Sequence, residues 1–209
     1  MQKISYQIKF QKNLLMSTKV WSNNYNSSKI DSAFEILNNG GIILYPTETI
    51  WAIGCKSILK NSVKRVYEIK KRPYHMPLIN LIDETKKIPK YVENLNIKEF
   101  DFINKNDTPP TVIYPNCKSK YSFLANDMNE ISFRVTPIKE LKEIINKLDS
   151  PIISSSANIS GKNFPESLDN ISKSIINSVD LILNFEVKSS GIPSEVIKIN
   201  KGKIEYLRK

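Results

Sequence analysis

The chain has 209 residues, 40% of them hydrophobic and 25% charged, with a formal net charge of +10 at pH 7. That length suits one ordinary domain with a sizeable core, and the balance is that of a globular protein, not a disordered one. No apolar run nears the ~18 residues of a membrane span; the Lys-interrupted N-terminus lacks a secretory apolar stretch; and two cysteines, Cys55 and Cys117, exclude a disulfide framework or zinc site, so a cytoplasmic protein without a membrane partner is expected.

The charge alone is a poor guide to partners. Lys (27), Ile (31) and Asn (22) make up 80 of the 209 residues, while Ala and Arg occur only 4 times each. Such a global bias yields a basic protein without selection for a polyanion. It also makes the surviving arginines informative. Arg65, Arg72, Arg134 and Arg208 keep the planar bidentate fork that Lys cannot imitate.

Residues 1–27 read as a polar leader of uncertain structure, part of it compatible with a strand or loose helix. The patterned domain is expected over 28–209. Ser28 or Asp31 can cap a helix carrying Ile30, Ala33, Phe34, Ile36 and Leu37, which Gly40-Gly41 stops. Gly41–Tyr45 is a buried strand. Asn61–Lys71 is a helix ended by Arg72-Pro73. Leu78–Ile82 is a strand, and Asp83–Asn106 is helical in pieces broken by Pro89. Strands follow at Thr111–Tyr114 and Ile131–Val135, then a helix over Ile138–Leu148 begun by Pro137. Pro151–Ser154 is a strand, Glu166–Asn177 a helix, and Val179–Phe185, Glu195–Ile199 and Ile204–Leu207 are strands. Short strands alternating with helices predict an α/β domain with a mixed sheet.

Five segments can carry chemistry. In the first, the strand ending at Tyr45 delivers Thr47, Glu48 and Thr49 just after Pro46, at the kind of loop where α/β sheets bind ligands. The competing reading is a turn with local Thr hydrogen bonds. Second, Lys70 and Arg72 flank a helix C-terminus. The dipole alone favours cations there, but the pair can also grip phosphate. Third, Ser154–Gly161 is a strand running into small hydroxyl and amide side chains, either an anion nest or a plain polar loop. It contains no P-loop, and His75 is the only histidine available to any catalytic triad. Fourth, Arg134 sits in an apolar strand and needs an anion, from a ligand or from an internal salt bridge. Fifth, Ser194 opens a strand and Arg208 ends one, where the plain reading of Arg208 is a frayed terminal charge. No HxH, CxxC or HExxH spacing occurs, so any metal is expected as Mg²⁺ arriving with a nucleotide.

In order, YPTET–IWAIG (45–54), the K-x-R-P of Lys70–Pro73 with Pro77-Leu78, FRVTP (133–137), SSANISG (155–161), IPSEV (192–196) and YLR (206–208) resemble the YrdC-like threonylcarbamoyl-AMP synthase family. The chain stops at Lys209, which is similar to the short, single-domain form. The resemblance implies a twisted, mostly open α/β sheet flanked by helices, with a concave basic face. It implies an enzyme, a nucleotidyltransferase that makes L-threonylcarbamoyladenylate and pyrophosphate from L-threonine, bicarbonate and ATP, with Mg²⁺. The product would feed a downstream threonylcarbamoyl-transferase complex for N6-threonylcarbamoyladenosine at position 37 of ANN-decoding tRNAs.

Carried over by motif, Lys70 and Arg72 would be catalytic, holding phosphates and the threonine-derived carboxylate. Thr47, Thr49, Arg72, Arg134, Ser156 and Ser194 would bind threonine. Lys70, Asn158 and Arg208 would bind the nucleotide. Chemistry needs no protein nucleophile, because the threonine amine attacks CO₂ or bicarbonate and the carbamate oxygen then attacks the α-phosphorus. The protein positions the reactants and neutralises charge. Glu48 is open as a general base or as a structural group. The chain departs from the family pattern at Ala52 and Glu195, where Gly and Thr are usual. A positive φ at Ala52 would cost about 1 kcal/mol, and Glu195 would set a negative charge beside an anion site. Leu81 replaces a His of some members. The alternative function is a non-catalytic module binding tRNA or double-stranded RNA on the same fold.

Overall fold

The computed structural model describes residues 19–22, 27–95, 103, 108–200 and 203–208. Of the readings above, residues 1–18 and most of 96–107 lie outside the described residues.

The described residues form strand β1 (Lys19–Ser22), helix α1 (Ser27–Asn38), β2 (Ile43–Tyr45), β3 (Ala52–Gly54), α2 (Lys60–Lys70), β4 (Ile79–Ile82) and β5 (Thr111–Tyr114). Then come β6 (Ile131–Val135), α3 (Lys139–Leu148), β7 (Ile152–Ser156), α4 (Lys173–Ile176), β8 (Leu181–Asn184), β9 (Val196–Asn200) and β10 (Lys203–Arg208). Helix α1 already runs from Ser27, so Ser28 and Asp31 lie inside it instead of capping it. Asp31 pairs with Lys147 of α3. The helix stops at Gly40, whose φ of 86° is left-handed, and Gly41 N–H donates to Ile36 O. A Cβ on Gly41 would lie 2.5 Å from the Ile36 side chain, so the Gly-Gly pair is a steric requirement of the turn.

The strand allowed for within residues 1–27 is β1, which pairs in parallel with β8, so the sheet begins inside that segment. Three sequence expectations change. Glu166–Asn177 is not one helix: a 3₁₀ turn at Leu168–Asn170 and the one-turn α4 are separated by Ile171, whose backbone is extended (φ −73°, ψ 132°). Strand β3 was absent from the sequence reading, and Asp83–Lys90 yields only a 3₁₀ helix, Thr85–Lys90, with Pro89 inside it.

Among the described residues the strands form one ten-stranded mixed sheet in the order β1-β8-β2-β3-β7-β4-β6-β5-β9-β10. Alternation along the strands builds two cores. Ile43, Tyr45, Ile152, Leu181 and Leu183 pack with α1 and α3, through Ala33, Leu37, Leu141 and Ile145. Their neighbours Ile42, Leu44, Ile153 and Ile182 pack with α2 and α4, through Val63, Val66 and Ile175. Gly54 permits the close approach of β3 to β7, since a Cβ there would sit 1.8 Å from Ile153 O. Ala52 of β3 and Arg208 of β10 stand six strand positions apart, roughly 29 Å in a flat sheet. They nonetheless line one cleft, so the sheet twists and curls strongly across its width.

Candidate active site

An open cleft gathers side chains from the five segments singled out in the sequence. Its polar lining is Thr47, Thr49, Arg72, Arg134, Ser154, Ser155, Ser156, Ser194 and Arg208. Ile50, Ala52, Pro77, Leu78, Ile79, Phe164 and Pro193 supply the apolar part.

The loop from β2 to β3 is held by its own hydroxyls. Thr47 Oγ1 accepts from the N–H groups of Thr49 and Ile50, both at 3.1 Å, and donates to Ile50 O at 2.6 Å. Thr47 has one hydroxyl hydrogen, so the 2.8 Å contact with Thr49 Oγ1 must use the Thr49 hydrogen. Thr49 Oγ1 in turn accepts from Arg134 Nη1 at 3.0 Å. Both hydroxyl hydrogens are therefore committed inside the protein. The local-turn reading describes these bonds, and the same two threonines line the cleft. A second segment straps the loop down, with Gly191 N–H donating to Thr49 O (2.8 Å) and Ser190 N–H to Glu48 O (3.0 Å).

Arg134 has the internal salt-bridge partner and also faces the cleft. It is only 6% exposed, lines the cleft, and uses all three guanidinium nitrogens. Nε donates to Pro109 O (2.9 Å), Nη1 to Thr49, and Nη2 lies 2.6 Å from Glu48 Oε1. That last contact is an ion pair without hydrogen-bond alignment, and neither Glu48 oxygen has an aligned donor among the described residues. Burial pulls the Arg134 pKa down, and the Glu48 charge opposes this. Glu48 itself is absent from the cleft lining.

At the end of α2 the backbone turns sharply. Lys71 takes the left-handed conformation (φ 49°), its N–H bonds to Glu68 O, and Arg72 N–H bonds to Tyr67 O. The turn sends the neighbouring side chains to different places. Arg72 lines the cleft, with Nε and Nη2 anchored on Met76 O (3.0 Å) and Pro77 O (3.1 Å). Lys70 is 1% exposed and is absent from the cleft lining. Its ammonium donates to Ser156 O and to Asn158 O (2.8 Å), with Asn158 Oδ1 at 3.3 Å and Ser156 Oγ at 3.4 Å. Burial lowers its pKa to about 7, and the Arg72 charge adds to this. Asn158, 8% exposed, also stands behind the wall, with its amide on Lys162 O. Its Oδ1 accepts the Ser156 hydroxyl at 2.6 Å.

The far wall is Ser194 and Arg208. Ser194 Oγ lies 2.9 Å from Thr111 Oγ1. Arg208 is not frayed: Nε and Nη2 both donate to Ser194 O, at 2.9 and 2.7 Å. Arg72 and Arg208 thus share one pattern. Each anchors Nε and Nη2 on carbonyls and leaves Nη1 without a protein partner among the described residues.

The departures from the family pattern prove mild. Ala52 is in strand β3 and has no positive φ, so the backbone cost does not arise. Glu195 is exposed and outside the cleft lining. Leu81 is buried in the core against α3. Arg65 serves the fold, pairing with Asp180 at 2.6 Å and donating to Ser178 O. Sequence reasoning missed Phe164, an aromatic 43% exposed at the cleft; an unpatterned Phe following Gly161 was the available signal.

A family model for Sua5, YciO and YrdC, described as "Telomere recombination", matches residues 35–209. A Pseudoalteromonas translucida protein named threonylcarbamoyl-AMP synthase is 28% identical over 180 residues, covering 85% of this chain and 96% of that protein. A Methanocaldococcus jannaschii protein is 31% identical over 176 residues, 83% of this chain and 81% of the other. Among solved structures, P. abyssi Sua5 complexed with L-threonine is similar with a TM-score of 0.83 and 23% identity over 91% of this chain, which spans 57% of that longer one. E. coli YciO superposes with a TM-score of 0.74 and 22% identity, over 92% of this chain and 96% of that one. At these identities the structural likenesses speak for the fold, while the family model spans most of the sequence: the chain belongs to the Sua5/YciO/YrdC family.

Proposed function

We propose that the chain is a threonylcarbamoyl-AMP synthase, a nucleotidyltransferase that joins L-threonine, bicarbonate and the adenylate of ATP with release of pyrophosphate. The observation that carries this reading is the charge of the cleft. Three guanidinium groups line it and no carboxylate does. Glu48 balances Arg134, which leaves Arg72 and Arg208 uncompensated, each with Nη1 available. Such a site suits ligands that bring several negative charges, a carboxylate and a triphosphate together. The family membership and the threonine-bound Sua5 structure support the same reading.

In this reading Arg72 meets the threonine carboxylate and the phosphates, and Arg208 meets the nucleotide. Ser156 and Ser194 offer hydroxyls to threonine beside the wall made by Thr47, Thr49 and Arg134. The amine adds to CO₂ with loss of a proton to solvent, or to bicarbonate with loss of water, and the resulting carbamate oxygen displaces pyrophosphate from the α-phosphorus in line. The neighbouring guanidinium charge stabilises the departing oxygens. Mg²⁺, when bound, would be carried by the ATP phosphates and would neutralise part of their charge. The product then passes to a threonylcarbamoyl-transferase complex acting on position 37 of ANN-decoding tRNAs. The test is incubation with ATP, Mg²⁺, threonine and bicarbonate while pyrophosphate is followed. Release that needs all four components is expected, and release indifferent to threonine overturns the assignment.

A further inference from the structure

We propose that Lys70 is a positioning residue: it clamps the Ser156–Asn158 turn in the shape that seats threonine, and it touches no substrate. The inference rests on the reading above and reassigns the lysine that the family resemblance places on phosphate. Three observations carry it. First, the ammonium is sealed off from the cleft, at 1% exposure. Second, every polar atom around it is an acceptor: the carbonyls of Ser156 and Asn158, Asn158 Oδ1 and, at the limit, Ser156 Oγ. An ammonium has three hydrogens, so the ring already exceeds its capacity and leaves nothing for a phosphate. Third, the main chain of the same residue closes the clamp from the other side, because Ser160 N–H donates to Lys70 O at 2.9 Å.

Lys70 therefore holds residues 156, 158 and 160 at once. Asn158 Oδ1, fixed by the clamp, accepts the Ser156 hydroxyl and so sets its rotamer. The left-handed Lys71 lets one short segment perform two tasks, sending Lys70 behind the wall and Arg72 into the cleft. Lysine suits the task better than Arg, since a compact ammonium with three rotatable donors can bind converging carbonyls in a space that excludes a planar fork.

The test has two arms. The wild-type protein is treated with acetic anhydride with and without ATP, and lysine acetylation is mapped by mass spectrometry. Lys64, whose side chain is 65% exposed, is the reactive reference. Lys70 unmodified in both samples is expected; Lys70 acetylated at the rate of Lys64, or acetylated only when ATP is absent, overturns the proposal. This arm needs no variant and stands even if substitution prevents folding. In the second arm, threonine binding is measured by calorimetry without ATP for wild type and Lys70→Met, with amide exchange as a fold control. A phosphate-gripping lysine leaves that binding unchanged, and an unchanged dissociation constant overturns the proposal. At least tenfold weaker binding, with faster exchange confined to 154–162, supports it. Wild-type protein that binds no threonine overturns the reading of the cleft itself, whereas wild-type binding matched by Lys70→Met overturns this inference alone.

Discussion

Two groups of residues at the cleft are built on opposite principles. Around Thr47, Glu48, Thr49 and Arg134 every hydroxyl hydrogen and every guanidinium nitrogen is already spent within the protein. At Arg72 and at Arg208, on different walls, each guanidinium is held by two bonds to carbonyls and keeps Nη1 in reserve. The first group is a template whose shape is fixed before a ligand arrives. The second is a pair of anchored but unsatisfied cations, in the preorganised state that makes charge stabilisation effective. Position in an arginine-bearing motif therefore does not tell what the arginine does; its count of uncommitted donors does.

Substitution should separate the two groups. Arg134→Ala leaves the Glu48 carboxylate buried without its counter-charge and should cost about 3–5 kcal/mol in urea unfolding. A loss no larger than that of Arg72→Ala would erase the distinction between the two groups. Arg72→Ala removes an open cation and should leave the unfolding midpoint near wild type. It should lower threonine-dependent pyrophosphate release about 10- to 150-fold, the equivalent of one charge-assisted bond of ~1.5–3 kcal/mol. Ser156→Ala, which also removes the bond to Asn158 Oδ1, should raise the apparent KM for threonine about 2- to 10-fold through loss of a neutral hydrogen bond of ~0.5–1.5 kcal/mol.

A separate effect concerns pH. The folded pKa of Lys70 is lowered to about 7 from 10.5. Between these values the unfolded chain binds the extra proton, so this group's contribution makes stability rise with pH from about 7 towards 10. Wild type should therefore gain stability relative to Lys70→Met between pH 7 and 9 in urea titrations. A difference that stays flat over that range would place Lys70 in a more solvated setting than its burial indicates.

Much of the fold was legible because it is local. The apolar runs at 43–45, 79–82, 111–114 and 131–135 and the Gly-Gly stop are patterns within a few residues. The failures have particular causes. Strand β3 is three residues long and emerges straight from a turn, too short for alternation to register. In 166–177 the spacing of Leu168, Ile171 and Ile175 imitates a helical face, yet Ile171 is extended; Ile171 and Ile175 enter the core while Leu168 packs against it only partly buried. The members of the site were readable as residue types in order, but their division of labour was not. Lys70 meets residues 86 and 88 positions away, and Arg134 meets Thr49 at a separation of 85. No window along the sequence contains such a pair.

The curl that brings β10 over the cleft has a consequence for timing. Lining residues run from Thr47 to Arg208, so a chain emerging from the ribosome N-terminus first can bury most of its core well before the second open cation exists. Until position 208 has been translated and the closing strand has docked, the nascent polypeptide carries a half-furnished cavity. On the proposed reading, a nascent chain could therefore not consume ATP before β10 is in place.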